Sequence, residues 1–297
     1  MNLKLLSASL LAALALSCGC VEKMFNVGSD DTVKPEIELT EKERFHVYIC
    51  FGQSNMYGSA EIQEVDKTVP CNYLMMGSSS LGTGKRALYK WDSATPPICS
   101  PSAGLSPADN FGRTMAEVGA EQDITIGVIG VAIPGCDIRL FDKELYVDYL
   151  NAFDGKKWYQ DRLSDYDHNP YARIIELAKE AQKTGTIKGI ILHQGETNNG
   201  QEAWLGYVEK IYNDMLRDLD LKAEDVPLVA GETAHANQDG KCAAMNAVIN
   251  RLPEVIPTAS VASSDGCTVN DDHVHFDSAG VRELGKRYAL KMIAAQR

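Results

Sequence analysis

Five short, almost continuously apolar runs recur along this chain, and most of them end at glycine or at a cluster of polar residues. The runs occupy residues 45–51, 124–133, 187–192, 227–230 and 259–262. Runs in which nearly every position is apolar are typical of parallel strands that are covered on both faces. The pattern therefore predicts five strands of one mostly parallel sheet.

Between these runs, apolar residues return every three or four positions, as they do on one face of a helix. Asn169-Pro170 and Asp277-Ser278 are helix-start signals, and Gly185 is a helix-end signal. The predicted helices cover residues 106–120, 169–185, 203–219, 241–252 and 277–293. Alternating strands and helices predict the α/β class, here a three-layer α/β/α sandwich in one domain spanning residues 45–297.

Two long, turn-rich insertions, at residues 61–105 and 136–168, interrupt this alternation. Their aromatic side chains belong either to the core or to the wall of a groove where sugar rings stack. These aromatic residues are Tyr73, Tyr89, Trp91, Phe141, Trp158 and Tyr159.

The first twenty residues have the pattern of an export signal. Lys4 precedes an apolar run at residues 5–16, which is shorter than the roughly 20 residues that a membrane-spanning helix needs. Cys18 and Cys20 follow small residues, and this ending resembles a bacterial lipoprotein signal. We expect residues 1–20 to be a signal peptide and residues 21–44 a flexible tether. The expected location is the periplasmic or outer cell surface, with a lipid anchor as the membrane contact; a plain cleaved signal is the alternative.

Charge and cysteine usage narrow the possible partners. A net charge of −12 argues against nucleic acid or an anionic membrane surface as the main partner. No cysteine or histidine spacing typical of zinc sites is present, so we predict no metal and no cofactor. Export makes disulfides possible, whereas Cys50 and Cys136 lie in apolar runs and fit buried free thiols equally well. The cysteines beyond the signal are Cys50, Cys71, Cys99, Cys136, Cys242 and Cys267.

Polar clusters follow the predicted strands at the point where each strand ends. They lie at residues 52–55, 134–137, 193–198 and 231–233, and a fifth at 271–275 precedes the last helix. In open α/β sheets the carboxyl ends of parallel strands share one edge, and ligands bind there. We therefore expect the four strand-end clusters to lie together.

Three sequence blocks in these clusters carry a family resemblance. They are GQSNM at residues 52–56, HQGE at 193–196, and Asp272-x-x-His275. Their order resembles that of the SGNH, or GDSL-like, hydrolases, and more narrowly the sialate O-acetylesterase-like domains and the acetylxylan esterases of carbohydrate esterase family 6. The wider superfamily carries Gly-x-Asn-Asp where this chain has Gln194-Gly195-Glu196, as the narrower branch does.

The resemblance implies a flavodoxin-like SGNH hydrolase fold and a serine esterase that removes O-acetyl groups from an acetylated glycan. It implies Ser54 as nucleophile, His275 as base and Asp272 as the carboxylate that orients the imidazole. A serine hydroxyl needs such a base to attack an ester.

Further residues are assigned to the site on the same resemblance. The backbone N–H groups of Ser54 and Gly135 and the side-chain amide of Gln194 are the expected oxyanion hole. Substrate contacts are expected from residues beside these, namely Gln53, Asn55 and Glu196; orientation of the neighbouring loops is the alternative role for Glu196.

Alternative interpretations remain open on the sequence alone. Ser54 can be a plain helix cap, His273 is a second candidate for the base, and His193 fits a hydrogen-bonded core histidine. A metal-dependent hydrolase is another interpretation, because nitrogen and oxygen ligands suited to zinc or manganese occur at Asp271, Asp272, His273, His275, His193 and Glu196. A further alternative is that the protein binds glycans at the cell surface without catalytic activity.

Overall fold

A seven-stranded sheet forms the centre of the molecule, in a computed structural model that describes residues 40–79, 86–153 and 157–297. The strands are β1 (Phe45–Gly52), β2 (Tyr73–Met76), β3 (Trp91–Ser93), β4 (Thr125–Ala132), β5 (Thr186–His193), β6 (Leu228–Gly231) and β7 (Ser260–Ala262). Their order across the sheet is β3-β2-β4-β1-β5-β6-β7. Every pair is parallel except β2 with β3, which is antiparallel.

Helices cover both faces of this sheet. They are α1 (Ser54–Tyr57), α2 (Pro107–Ala120), α3 (Tyr146–Ala152), α4 (Lys157–Leu163), α5 (Pro170–Ala181), α6 (Trp204–Asp218), α7 (Met245–Ile249), α8 (Leu252–Val255) and α9 (Ser278–Ala295). The α/β fold with a central, mostly parallel sheet is thus confirmed.

Alternate residues of β1 explain why the apolar runs are continuous. Val47 and Ile49 pack into a core with the apolar faces of α5 and α6. Tyr48 and Cys50 point to the other face, into a core with α2 and α9. Since both faces of the central strand are buried, polar positions are absent from its middle.

The sheet has two strands more than the five that the sequence predicted. Both β2 and β3 lie in the insertion at residues 61–105, where β2 joins the edge of β4 and β3 pairs only with β2. The run Tyr-Leu-Met-Met of β2 is four residues long and lacks β-branched residues, and β3 is a three-residue edge strand. Such short segments carry little periodicity.

The predicted helix at residues 241–252 is also corrected. Within that range the structure has the shorter helix α7 (Met245–Ile249); the next helix, α8, begins at Leu252 and has Pro253 in its first turn. A proline that opens a new helix cannot continue the preceding one, because it lacks the N–H that would bond back. The insertion at residues 136–168 likewise holds the short helices α3 and α4.

Most aromatic residues of the insertions belong to the core. Tyr73, Phe141 and Tyr159 are fully buried, and Tyr89 and Trp91 pack partly buried against the core. Trp158 differs, because 47% of it remains exposed.

The predicted signal peptide and most of the predicted tether lie outside the described residues. The tether's last residues, 40–44, form a turn, and Arg44 Nη1 pairs with Asp123 Oδ2 at 2.9 Å. Within the described ranges, no helix is both long and apolar enough to cross a membrane. All six cysteines there are free, and four of them, Cys50, Cys99, Cys136 and Cys267, are buried.

Two helix glycines provide a matched test of the packing. A Cβ on Gly112 in α2 would lie 2.1 Å from the ring of the buried Tyr73, whereas a Cβ on Gly206 in α6 would meet no described atom within 4 Å. We expect Gly112→Ala to lower the free energy of unfolding by about 1–3 kcal/mol through overpacking. Gly206→Ala should raise it by about 0.5–1 kcal/mol. Urea denaturation of both variants measures this, and equal effects would contradict the packing at Gly112.

Candidate active site

The short connection between β1 and α1 positions Ser54. Gly52 has a φ of +151°, and a Cβ at this position would lie 2.0 Å from the His193 carbonyl oxygen, so only glycine fits between the ends of β1 and β5. The backbone N–H of Gln53 then donates to that same oxygen at 2.9 Å. The chain turns at once into α1, whose first residue is Ser54. The serine thus lies at the carboxyl edge of the sheet, in its middle.

The hydroxyl of Ser54 meets the imidazole of His275 across 221 positions of the chain. Ser54 Oγ lies 2.8 Å from His275 Nε2, and His275 Nδ1 lies 2.6 Å from Asp272 Oδ2. Asp272 Oδ1 also accepts the backbone N–H groups of Val274 and His275, each at 2.9 Å. The Asp272 carboxylate therefore stabilises the turn through its backbone and also orients the imidazole of His275.

These contacts keep Asp272 ionised. Partial burial acts to raise the pKa of Asp272, but hydrogen bonds from the backbone and imidazole of His275 and from the Val274 N–H outweigh it and lower the pKa to about 2. The negative charge next to the imidazole is therefore present at every pH above that value.

The other candidate base, His273, does not contact Ser54. It has a positive φ of 58°, and its Nδ1 lies 3.2 Å from the carbonyl oxygen of Gln238. The turn at residues 271–275 thus sends its two imidazoles to different neighbours, and only His275 meets the serine.

Two of the three expected oxyanion donors have free N–H groups. Among the described residues, no acceptor receives a hydrogen bond from the backbone N–H of Ser54 or of Gly135. Gly135 has a φ of +70° and lies in the turn after β4, where the neighbouring Ile133 N–H donates to the Gly52 carbonyl at 3.1 Å. This turn and the Ser54 junction are therefore neighbours at one edge of the sheet.

The third expected donor, Gln194, is engaged inside the protein. Its Nε2 lies within 3.1 Å of three acceptors: Gln53 Oε1, the Cys136 carbonyl and Asn198 Oδ1. Its Oε1 accepts the indole N–H of Trp204, which defines the orientation of the amide. The amide therefore ties three loops together here, and its role as an oxyanion donor stays a prediction.

The expected substrate contacts Gln53, Asn55 and Glu196 are all buried. Gln53 Oε1 accepts N–H groups from Gln194, Gly195 and Thr197. Asn55 Nδ2 donates to Glu196 Oε1 at 2.6 Å. In this conformation all three side chains make hydrogen bonds within the protein, and direct binding of substrate by them stays a prediction.

His193 is a core histidine, as one interpretation of the sequence held. It is fully buried, and its Nδ1 lies 3.0 Å from the Tyr288 hydroxyl. Its Nε2 lies 3.3 Å from Glu196 Oε1. Burial acts to raise the pKa of Glu196, yet hydrogen bonding and charge from His193, with smaller contributions that include the Asn55 amide, lower it. Glu196 thus has the partner that the sequence did not identify.

Sequence reasoning missed several supporting residues. Asn198 and Trp204 hold the Gln194 amide, and Tyr288 in α9 contacts His193. Asn198 belongs to the polar cluster after β5, which was a usable signal. The other two are aromatic residues in helices, and nothing in their spacing distinguishes them from ordinary core residues.

The acidic and histidine residues near the site do not form a metal centre. Within residues 40–79, 86–153 and 157–297, no three His, Cys, Asp or Glu side chains lie close enough together to hold an ion.

Comparison with known proteins extends these observations. A family model described as "carbohydrate esterase, sialic acid-specific acetylesterase" matches residues 44–294. A protein of Arabidopsis thaliana is similar in structure, with a TM-score of 0.62 and 17% identity, over 84% of this chain and 98% of that one.

Two further solved structures share the fold. One is a carbohydrate acetylesterase from Xanthomonas citri, with a TM-score of 0.54 and 18% identity over 84% of this chain and 56% of that one. The other is NanS, with a TM-score of 0.59 and 12% identity over 86% of this chain and 98% of that one. At such identities the likeness concerns the fold.

The geometry predicts that Ser54 is an activated nucleophile and that its reactivity depends on the adjacent imidazole of His275. We expect a serine-directed phosphonate to label Ser54, because the adjacent imidazole can take the hydroxyl proton. Since Asp272 stays ionised above about pH 2, protonation of this carboxylate should not limit the labelling rate at any higher pH.

The variant Asp272→Asn should slow labelling by up to about 10⁴-fold, because the imidazole loses its orienting charge. Mass spectrometry of the labelled peptide identifies the residue. A labelling rate that is unchanged in Asp272→Asn would contradict the proposed cooperation of Ser54, His275 and Asp272.

Proposed function

This chain belongs to the family of carbohydrate esterases described as sialic acid-specific acetylesterases, and from that premise we propose that it cleaves O-acetyl esters of a glycan with Ser54, His275 and Asp272. The observation that carries the proposal is the 2.8 Å contact between Ser54 Oγ and His275 Nε2. The 2.6 Å contact between His275 and Asp272 supports it, since the carboxylate stabilises the charged imidazole that forms during attack.

In the proposed acylation step, Ser54 Oγ forms a bond to the acetyl carbonyl carbon while its proton passes to His275 Nε2. The negative charge that develops on the carbonyl oxygen is stabilised by the N–H groups of Ser54 and Gly135. His275 then donates its proton to the sugar oxygen as the bond between that oxygen and the acetyl carbon breaks. The sugar alcohol leaves, and the acetyl group remains on Ser54.

Deacylation repeats this sequence with water. His275 takes a proton from a water molecule whose oxygen attacks the acetyl carbon. The bond to Ser54 Oγ breaks as His275 returns the proton, and acetate is released. The proposed cycle uses no cofactor, because the protein's own imidazole carries each proton.

The proposed substrate class is an O-acetylated glycan, which includes acetylated xylan and acetylated sialic acid. Trp158 is the described aromatic residue best placed to meet the sugar. Among the described residues, its ring is the only group within 4 Å of the position that a Cβ on Gly135 would occupy, at 3.6 Å, and Tyr159 supports it edge-on with ring centroids 5.6 Å apart. An exposed indole beside the site offers an apolar face to a sugar ring.

We also propose that the protein is exported and lipid-anchored through Cys18 or Cys20. The support is the apolar run at residues 5–16 followed by small residues and cysteine. Mass spectrometry of the protein from its natural host should find an N-terminus at one of these cysteines with an added lipid; an N-terminus beyond Cys20 would refute the anchor.

The first functional prediction concerns acetate release from a panel of acetylated polysaccharides and acetylated sialic acid. The purified protein should release acetate from at least one of them. Ser54→Ala should lower the rate by about 10⁴-fold or more, because no other group replaces the nucleophile. Circular dichroism of the variant checks that it is folded.

Further measurements distinguish the serine esterase from a metal-dependent hydrolase and from a catalytically silent protein. Treatment with a chelator should leave the rate unchanged, and a chelator-sensitive rate would favour a metal-dependent hydrolase. Near-normal turnover by Ser54→Ala would refute the nucleophile. Glycan binding without any turnover by the native protein would favour the catalytically silent reading.

The second functional prediction concerns Trp158. We expect Trp158→Ala to lower kcat/KM for the preferred glycan by about tenfold, from the loss of roughly 1–2 kcal/mol of stacking and burial. Hydrolysis of 4-nitrophenyl acetate, which has no sugar, should change little. Leu290→Ala is the control, since that side chain in α9 is also exposed, at 53%. Equal losses on both esters would argue against a sugar contact.

A further inference from the structure

A buried amide connects the residue next to the serine with the segment that carries the imidazole. Asn55 follows Ser54 and is only 1% exposed. Its Nδ2 donates to the Val274 carbonyl at 3.2 Å, and its Oδ1 accepts the Phe276 N–H at 3.2 Å. These two backbone groups belong to the residues immediately before and after His275. The amide therefore holds the His275 segment on both sides of the imidazole.

Glu196 decides which way this amide faces. Its Oε1 accepts from Asn55 Nδ2 at 2.6 Å, a shorter contact than either bond to the His275 segment. If the amide turned over, its oxygen would face two acceptors, the carboxylate and the Val274 carbonyl, and its NH₂ would face the Phe276 N–H. A carboxylate at position 196 therefore permits only the orientation that binds the His275 segment.

A second buried contact keeps the Glu196 carboxylate in place. His193 Nδ1 lies 3.0 Å from the Tyr288 hydroxyl, which itself lies 2.7 Å from the Leu192 carbonyl oxygen. The other ring nitrogen of His193 faces Glu196 Oε1 at 3.3 Å. The side chain of Glu196 is 3% exposed, so solvent competes little for these contacts.

We propose that Asn55 and Glu196 are positioning residues that hold His275 against Ser54, with Glu196 acting through the Asn55 amide, and that they are not substrate-binding groups. This inference rests on the proposed function. Its physical basis is that a general base must stay within hydrogen-bond distance of the proton it takes. Without the amide, the turn at residues 272–276 keeps its internal hydrogen bonds to Asp272 but loses side-chain bonds that fix its distance from α1.

A double-mutant cycle tests the proposal. We expect Asn55→Ala and Glu196→Ala each to lower kcat by up to about 100-fold, with KM little changed, because the base is displaced while the binding surface is intact. The loss should be alike for 4-nitrophenyl acetate and for the preferred glycan. The double variant should be no slower than Asn55→Ala, since in this proposal Glu196 acts on His275 only through the Asn55 amide.

Conservative variants provide a rescue that a merely structural role would not show. Glu196→Gln retains an oxygen that can accept from Asn55, so it should keep kcat within several-fold of the native value. Asn55→Asp places a carboxylate against Glu196 and the Val274 carbonyl, so it should be as slow as Asn55→Ala. Each of these variants differs from the native side chain by one atom type, so its volume and packing stay the same.

Asn72→Ala is the matched control. Its Nδ2 also bridges two backbone carbonyls, those of Ala116 and Ile124, at 2.9 and 3.0 Å, but it does so before β2, away from the carboxyl edge. This variant should lose stability and keep kcat, as measured by thermal unfolding and by the same kinetic assays.

Each result has one meaning for the proposal. A raised KM for the glycan with normal turnover of 4-nitrophenyl acetate would make Asn55 and Glu196 substrate contacts and overturn it. Losses that multiply in the double variant would overturn the action of Glu196 through Asn55. A native protein that hydrolyses no acetyl ester would refute the proposed function itself, whereas an active native protein with unaffected variants would refute only this inference.

Discussion

The site depends on one contact: the hydroxyl of Ser54 and the imidazole of His275 meet at 2.8 Å across 221 positions of the chain. The parallel sheet makes this contact possible, because it brings the carboxyl ends of its strands to one edge. β1 lies in the middle of that sheet, between β4 and β5. The junction after β1 is therefore flanked by polar loops on both sides, and the loop before α9 covers it.

A layer of buried polar side chains supports this contact from beneath. Gln53 and Gln194 join the loops after β1, β4 and β5 through hydrogen bonds between amides and backbone. Asn55 joins the same region to the His275 segment. Burying amides is unfavourable unless their hydrogen bonds are made, and here nearly all of them are. Such a satisfied network has one arrangement of lowest energy, which keeps the loops in register without help from secondary structure.

The sequence predicted the elements whose pattern is strong. The five apolar runs correspond to β1, β4, β5, β6 and β7, because burial on both faces leaves a continuous apolar signature. It did not predict β2, whose four residues inside an insertion resemble any short apolar stretch. It also made the helix after β6 too long, because the apolar spacing continues through residues 241–252 whereas α7 covers Met245–Ile249. Strands that depend on a neighbour for their stability carry little signal of their own.

Within the site, short sequence patterns were enough to identify some functional residues but not others. Ser54 after an apolar run, and Asp272 three residues before His275, are short-range patterns, so the sequence identified them together with their family resemblance. The choice of His275 over His273 as the neighbour of Ser54, the engagement of Gln194 and the partners of Glu196 were decided by the tertiary structure. These features depend on contacts between residues far apart in sequence or on backbone angles within a turn. The spacing of apolar residues along the chain reports neither of them. The sequence alone determined which chemical groups the protein has and which strands carry them; folding decided which of those groups are free to react and which hold the others in place.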